Sequence, residues 1–310
     1  MKSLLLIFVA VAVIAVACEP ETHPPRFESL PASAQTISLM GDTLPTLSEE
    51  LPEPLTARID SLSQQALMDD RLVDHYIWEG RRSAYFGDYR RAIEQFSAAI
   101  AEFPEEPRLY RHRGHRYITL REFDLAIQDF QMSAELSEGQ PDVAEKDGLP
   151  NAQNIPLSSL QTNTWYHLGL AHYLKGEFTE AVNAYQNGLE VSDNDDMRIA
   201  FLYWYYMALR KQGKDVEAGQ LLDDVSEDLE LIENTSYYEL LMVFKGVFNE
   251  DQLLGTSNSE LQSATLGYGL GFWHHINGRT EKAQQIWEEI YMYGNWPAFG
   301  YIASEAELAK

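Results

Sequence analysis

PRLYRHRGHRYITLREFDLAIQDFQMSAEL, residues Pro107–Leu136, is the stretch whose reading decides the fold. Tyr110, Gly114 and Tyr117 fall on one face of a first helix, and Ala126, Phe130 and Ser133 on one face of a second. The turn between them is expected at Leu120–Asp124. A hairpin of this size cannot bury its apolar face alone, so the pattern should recur along the chain.

It does recur. Gly80 and Gly114 are 34 residues apart, as are Ala92 and Ala126, and Phe96 and Phe130. Gly169, Gly176, Ala181, Tyr185 and Gly188 mark a third copy, and Gly213, Ala218, Leu222 and Val225 a fourth. Gly271, Gly278, Ala283, Trp287 and Ile290 mark a late one. The 65 residues from Ala218 to Ala283 leave room for a degenerate copy in Ser236–Leu254. This 34-residue succession of glycine, alanine, aromatic and small residue resembles the tetratricopeptide repeat, over roughly Leu72–Pro297.

The resemblance implies an all-α fold, a right-handed α-solenoid of about five to six tetratricopeptide hairpins with a C-terminal capping helix. Repeats are expected near 73–106, 107–138, 162–195, 199–232, 233–256 (degenerate) and 264–297, within a domain spanning 55–310. The tail Trp296–Lys310 reads as a solvating helix that closes the last repeat. Gly80, Gly114 and Gly169 should let paired helices approach closely, while Phe96, Phe130, Tyr185 and Trp287 fill the gap to the next repeat. A polar insert at 139–161, carrying Asp142, Glu145 and Asp147, interrupts the array. It is either a functional projection or a tolerated surface loop.

The N-terminal residues are of another kind. Lys2 precedes an unbroken apolar run from Leu4 to Ala17, too short to span a bilayer of about 30 Å comfortably, and Cys18 follows it. Ala15-Val16-Ala17-Cys18 resembles the lipobox of bacterial lipoproteins, with Ala15 where leucine is usual. That resemblance implies a signal peptide at 1–17, cleavage before Cys18 and acylation of Cys18 by palmitate-like chains. The alternative is an ordinary secretory signal with an incidental cysteine. By analogy with lipoprotein sorting in Gram-negative bacteria, Glu19 in second place implies the outer membrane. Residues 18–54, with Pro20, Pro24, Pro25, Pro31, Pro45, Pro52 and Pro54, read as a flexible tether.

Composition narrows the function. A net charge of -25 over 310 residues argues against nucleic acid as partner. The single cysteine excludes an internal disulfide. No phosphate-binding glycine loop, nucleophile elbow or HExxH motif is present, so a non-enzymatic role without cofactors is expected. His112 and His115 share a helix face, but Arg111, Arg113 and Arg116 around them repel a metal cation. Asp193–Asp196 fits a helix N-cap between repeats better than a calcium loop.

The charge is uneven. Glu79–Arg121 holds nine arginines against six carboxylates, a local balance of +3. In tetratricopeptide arrays the first helix of each hairpin lines a concave groove. By that resemblance Arg81, Tyr85, Arg108, Arg111, His115, Tyr166 and Tyr173 line it here, and form the expected binding residues. Guanidinium forks suit carboxylates, and tyrosines add amphipathic contact area. The expected partner is an envelope protein or acidic peptide segment, with membrane attachment through Cys18. Internal pairing of the same arginines is the other reading of the cluster. Tyr203, Trp204, Tyr205 and Tyr206 cover every face of their helix, so some should be exposed. Exposed aromatics would suit the alternative function, a glycan- or nutrient-binding outer-membrane lipoprotein.

The anchor has a direct test. Cells fed a fatty-acid analogue should label the wild-type chain and not Cys18→Ser, with the variant recovered in the soluble fraction. An unlabelled, soluble wild type would remove the anchor.

Overall fold

The computed structural model describes residues 25–47, 53–146, 150–226, 229, 231–253 and 260–310. The expected signal segment, Cys18, Glu19, and Asp147 and Gly148 of the insert lie outside them. Helices run in antiparallel pairs along the chain. α1 (Glu53–Met68) packs on α2 (Leu72–Tyr85), which pairs with α3 (Tyr89–Glu102). Then come α4 (Pro107–Thr119) with α5 (Phe123–Ser137), α6 (Leu160–Lys175) with α7 (Phe178–Val191), and α8 (Asp195–Lys211) with α9 (Asp215–Asp223). α10 (Thr235–Lys245) is followed by a short 3-10 turn at Glu250–Gln252. α11 (Glu260–Ile276) pairs with α12 (Thr280–Tyr293), and α13 (Phe299–Leu308) ends the chain. This is an all-α helical-repeat solenoid.

Four hairpins, α2/α3, α4/α5, α6/α7 and α11/α12, are each held by an aromatic ring on a glycine. A Cβ on Gly80 would stand 2.4 Å from the Phe96 ring, and one on Gly169 would stand 2.3 Å from Tyr185. The same rings were expected to reach only the next repeat. They do both, because a bare helix face on one side leaves the ring's other face free. Phe96 stacks on His112 at 5.7 Å, Phe130 on His167 at 5.7 Å, and Tyr185 meets Phe201 edge-on at 6.3 Å. Burying these aromatics between repeats is the main cohesive term of the array.

The turns share one geometry. Gly87, Gly176, Gly213 and Gly278 have φ of 74°, 82°, 72° and 75°. Arg121 takes the same place in the second hairpin with φ 63°, a conformation that costs a branched-out side chain about 1–2 kcal/mol. The strained turn aims its guanidinium into the interior, where Arg121 and Glu305 of α13 form a fully buried ion pair at 2.6 Å. Arg121 also donates to the carbonyls of Thr119 and of Trp296, the latter at 3.0 Å. Its plane faces the Trp296 ring at 5.4 Å.

Two expectations change here. The tail helix was expected to be solvating, but Gly300, Tyr301, Ile302, Ala303, Ser304 and Glu305 are all buried. α13 closes the last repeat against α11 and α12 and also touches α6, turning inward rather than capping outward. Its small residues permit this: a Cβ on Gly300 would stand 2.2 Å from the Ala264 carbonyl oxygen.

The second change concerns the tether, which is ordered over residues 25–47. Strands β1 (Ala34–Ile37) and β2 (Thr43–Pro45) pair antiparallel, with Thr36 opposite Leu44 and Gly41 at φ 95° in the loop. Proline excludes helix but is tolerated on an edge strand such as β2. The hairpin lies across the array. Thr36 Oγ1 donates to the Leu120 carbonyl at 2.6 Å, and Arg90 donates to the carbonyl of Ala34 at 3.0 Å. Leu39 N–H donates to Glu305, and the Ser38 hydroxyl meets that of Tyr291 at 2.9 Å. Phe27, Ala34 and Leu44 are buried beneath it.

The fourth and fifth repeats are joined at Asp196. Asn194 caps α8 by accepting from Met197 N–H at 2.9 Å. Buried Asp196 accepts from the backbone N–H groups of Ile232, Glu233 and Asn234 at 3.0, 2.8 and 2.8 Å. α10 is followed, among the described residues, by the 3-10 turn at Glu250–Gln252. Tyr203, Trp204 and Tyr206 are buried rather than exposed, because α8 packs against helices on several sides. Tyr205 alone of the four is half-exposed, accepting from Gln186 Nε2 at 2.8 Å.

Glu305→Gln should lower stability by about 3–5 kcal/mol, since it strands a buried guanidinium. Arg121→Met/Glu305→Met should recover most of that loss, because neither charge then remains buried. Urea denaturation reads both, and an unchanged midpoint for Glu305→Gln would contradict the role given to the pair.

Candidate functional site

The concave face is built from the first helices of the hairpins, as their periodicity requires. It is not an open trough. The loop before α13 enters it, and Phe299 stands 5.2 Å from the His115 ring and 5.6 Å from that of His167. His115 and His167 lie 4.4 Å apart, ring to ring. Pro297 therefore divides the face into two cavities that share Arg111 and His115.

The smaller cavity, about 290 Å³, lies toward α2 and is lined by Arg81, Tyr85, Tyr89, Arg111, His115 and Arg116. Four of the seven expected binding residues meet here: Arg81, Tyr85, Arg111 and His115. Arg81 lies over the Trp78 ring at 4.5 Å and donates to the Tyr85 hydroxyl at 3.1 Å and the Lys146 carbonyl at 2.7 Å.

Arg111 is paired to the insert: its Nη2 stands 2.7 Å from Glu145 Oε2. Glu145 is held in turn by Asn163 Nδ2 at 2.6 Å, and the insert is pinned to the start of α6 through Ala144 and Ser159. The acidic insert is thus an internal counter-ion for part of the basic cluster.

The other three expected residues are engaged elsewhere. Arg108 clasps Glu106 at 2.7 Å and Asp74 at 2.6 Å, and these carboxylates raise its pKa above the usual arginine range. Tyr166 is buried at the larger cavity of about 500 Å³, its hydroxyl 2.9 Å from that of Tyr237 and accepting from Trp204 Nε1 at 2.9 Å. Tyr173 is interior, 2.6 Å from the Tyr268 hydroxyl. Burial drives the phenol pKa of both well above its ordinary value. These tyrosines knit the inner wall together and are not open for contact with a partner.

Arg116, His167 and Pro297–Phe299 were not among the expected binding residues. Arg116 lies over the Tyr89 ring at 5.6 Å, and its guanidinium makes no hydrogen bond or ion pair among the described residues. Burial pulls its pKa down to about 10. Burial likewise holds the His112, His115 and His167 pKa well below the usual value, assisted by Arg111 at His112 and His167 and by Arg116 at His115. All three imidazoles are neutral near pH 7. Among the described residues, no three His, Cys, Asp or Glu side chains are placed to hold a metal ion.

A tetratricopeptide repeat family model matches residues 79–141, the second half of α2 through α5 and into the insert. Residues 79–141 belong to the tetratricopeptide repeat family. No curated protein matches the chain. Its tetratricopeptide array is generally a module for protein–protein interaction rather than catalysis. The matched residues are those that carry the arginine cluster and the smaller cavity.

The neutral histidines predict a pH dependence. Their folded-state pKa lies below the unfolded value near 6.5, so the unfolded chain binds protons first as pH falls. Stability should be constant above about pH 7.5 and decline below about 6.5, by up to about 1.4 kcal/mol per pH unit for each group. His167→Phe should flatten the decline in urea midpoints between pH 7 and 5; an equally steep decline would contradict the assignment.

Proposed function

We propose that this chain is a lipid-anchored, non-catalytic interaction scaffold of the bacterial cell envelope. It engages an acidic segment of an envelope protein at the mouth of its concave face, beside α2 and α4. The observation that carries this reading is the cavity lined by Arg81, Arg111 and Arg116 in a chain of net charge -25. A basic recess in an acidic body focuses field toward one spot and directs anionic groups there.

The self-filled groove sets the binding mode. An extended peptide cannot run along the whole array while Pro297–Phe299 occupies its middle. A partner therefore inserts a short acidic feature at one end and rests on the rim. Arg81 and Tyr85 stand at that rim, and neither is fully buried. The anchor follows from the apolar run ending at Cys18, and outer-membrane residence from Glu19. Among the described residues no helix is long and apolar enough to cross a membrane, so attachment in this reading is through acyl chains.

Photo-crosslinking in intact membranes tests the face. Tyr85→p-benzoylphenylalanine should give one discrete protein adduct, and Val216→p-benzoylphenylalanine, on the exposed side of α9, should not. Identical adduct patterns, or none from position 85, would overturn the proposed binding face.

A further inference from the structure

Arg116 is the odd member of the arginine cluster. Arg108, Arg111 and Arg113 each hold a carboxylate, at 2.7 Å from Glu106, 2.7 Å from Glu145 and 2.7 Å from Asp129. Arg121 holds Glu305. Arg116 has an aromatic face beside it and nothing on its N–H edges among the described residues. A guanidinium offers five donors in its plane, and stacking on Tyr89 leaves that plane open to the cavity.

The surroundings favour an anion. No Asp or Glu lines the cavity of about 290 Å³, and Arg81 and Arg111 add positive potential to it. His112 and His115 line it as neutral rings, His112 accepting from Arg111 Nη1 through Nδ1 at 2.8 Å. The aromatic wall from Tyr85, Tyr89 and Phe96 suits a ligand's apolar stem. Leaving a charge unpaired in a recess is destabilising, so the folded apo-protein carries a cost that an incoming oxyanion relieves.

We propose that this cavity is a receptor for one oxyanion, a carboxylate or phosphate, gripped by the planar fork of Arg116 and backed by Arg81 and Arg111. The proposal rests on the reading of the concave mouth as the binding face and names what is recognised there. Arg116 is the specificity-determining residue, since of the three arginines that line the cavity it alone makes no hydrogen bond or ion pair among the described residues. A planar fork matches two oxygens of a carboxylate or phosphate and discriminates against spherical halides.

The test uses the full chain in detergent, titrated by calorimetry with inorganic phosphate in one arm and benzoate in the other. Binding in either arm supports the site, and the arm that binds names the oxyanion; heat in neither overturns it. Arg116→Met should weaken binding by at least about tenfold, roughly 1.4 kcal/mol, while the ligand-free melting temperature stays level or rises. Arg116→Lys should retain part of the affinity as a point charge. Arg279→Met, removing an arginine that lies over Trp273 and does not line this cavity, should leave probe affinity unchanged. Undiminished binding by Arg116→Met would overturn the proposal. Small probes read the cavity alone, whereas the position-85 crosslink reads the protein partner, so the two readings fail separately.

Discussion

The buried pair of Arg121 and Glu305 is the constraint on which the closed form of this array depends. Its members are 184 residues apart in sequence and both are inaccessible to solvent. Transferring two charges to such a site is costly, and the cost is offset only where every remaining donor and acceptor finds a partner. Here the guanidinium is shared among Glu305 and the carbonyls of Thr119 and Trp296, and Glu305 also takes the Leu39 N–H. Three separated parts of the chain must be in place together for that network to exist: the second turn, the last helix and the N-terminal hairpin.

Closure determines what the concave face can do. With α13 turned inward, Phe299 sits beside His115 and His167, and the inner tyrosines pair with one another instead of facing a partner. Two recesses stay open on either side of Pro297, and the smaller, between α2, α4 and Pro297, is lined by three arginines. Neutral imidazoles and a depressed Arg116 pKa are consequences of the same enclosure: burial disfavours charge wherever no carboxylate compensates it. The insert supplies that compensation at Arg111 through Glu145, leaving Arg116 as the group a ligand would satisfy.

Much of this was legible in the residues. The 34-residue spacing of Gly80/Gly114, Ala92/Ala126 and Phe96/Phe130 translates directly into glycine faces covered by rings, because that contact is local and repeats. Four of the expected binding residues converge on one cavity for the same reason: they occupy matched positions on neighbouring first helices. The N-terminal hairpin was not legible, because its strands of four and three residues are too short to show a period and five residues separate them. Arg121 was readable as an oddity, standing where other turns have glycine. Nothing local, however, marks Glu305 as its partner.

The sequence by itself determined an all-α repeat array and the concentration of arginine between Arg81 and Arg121. The array depends on contacts within a repeat or between adjacent repeats, which a periodic pattern encodes. Only the tertiary structure decided that the tail turns inward, that the tyrosines face one another, and which of the cavity's arginines have their donors engaged. Those outcomes depend on which distant surfaces meet once the array curves. The curve brings Arg121 to Glu305 and Arg111 to Glu145, and leaves Arg116 facing an enclosed cavity lined by no carboxylate.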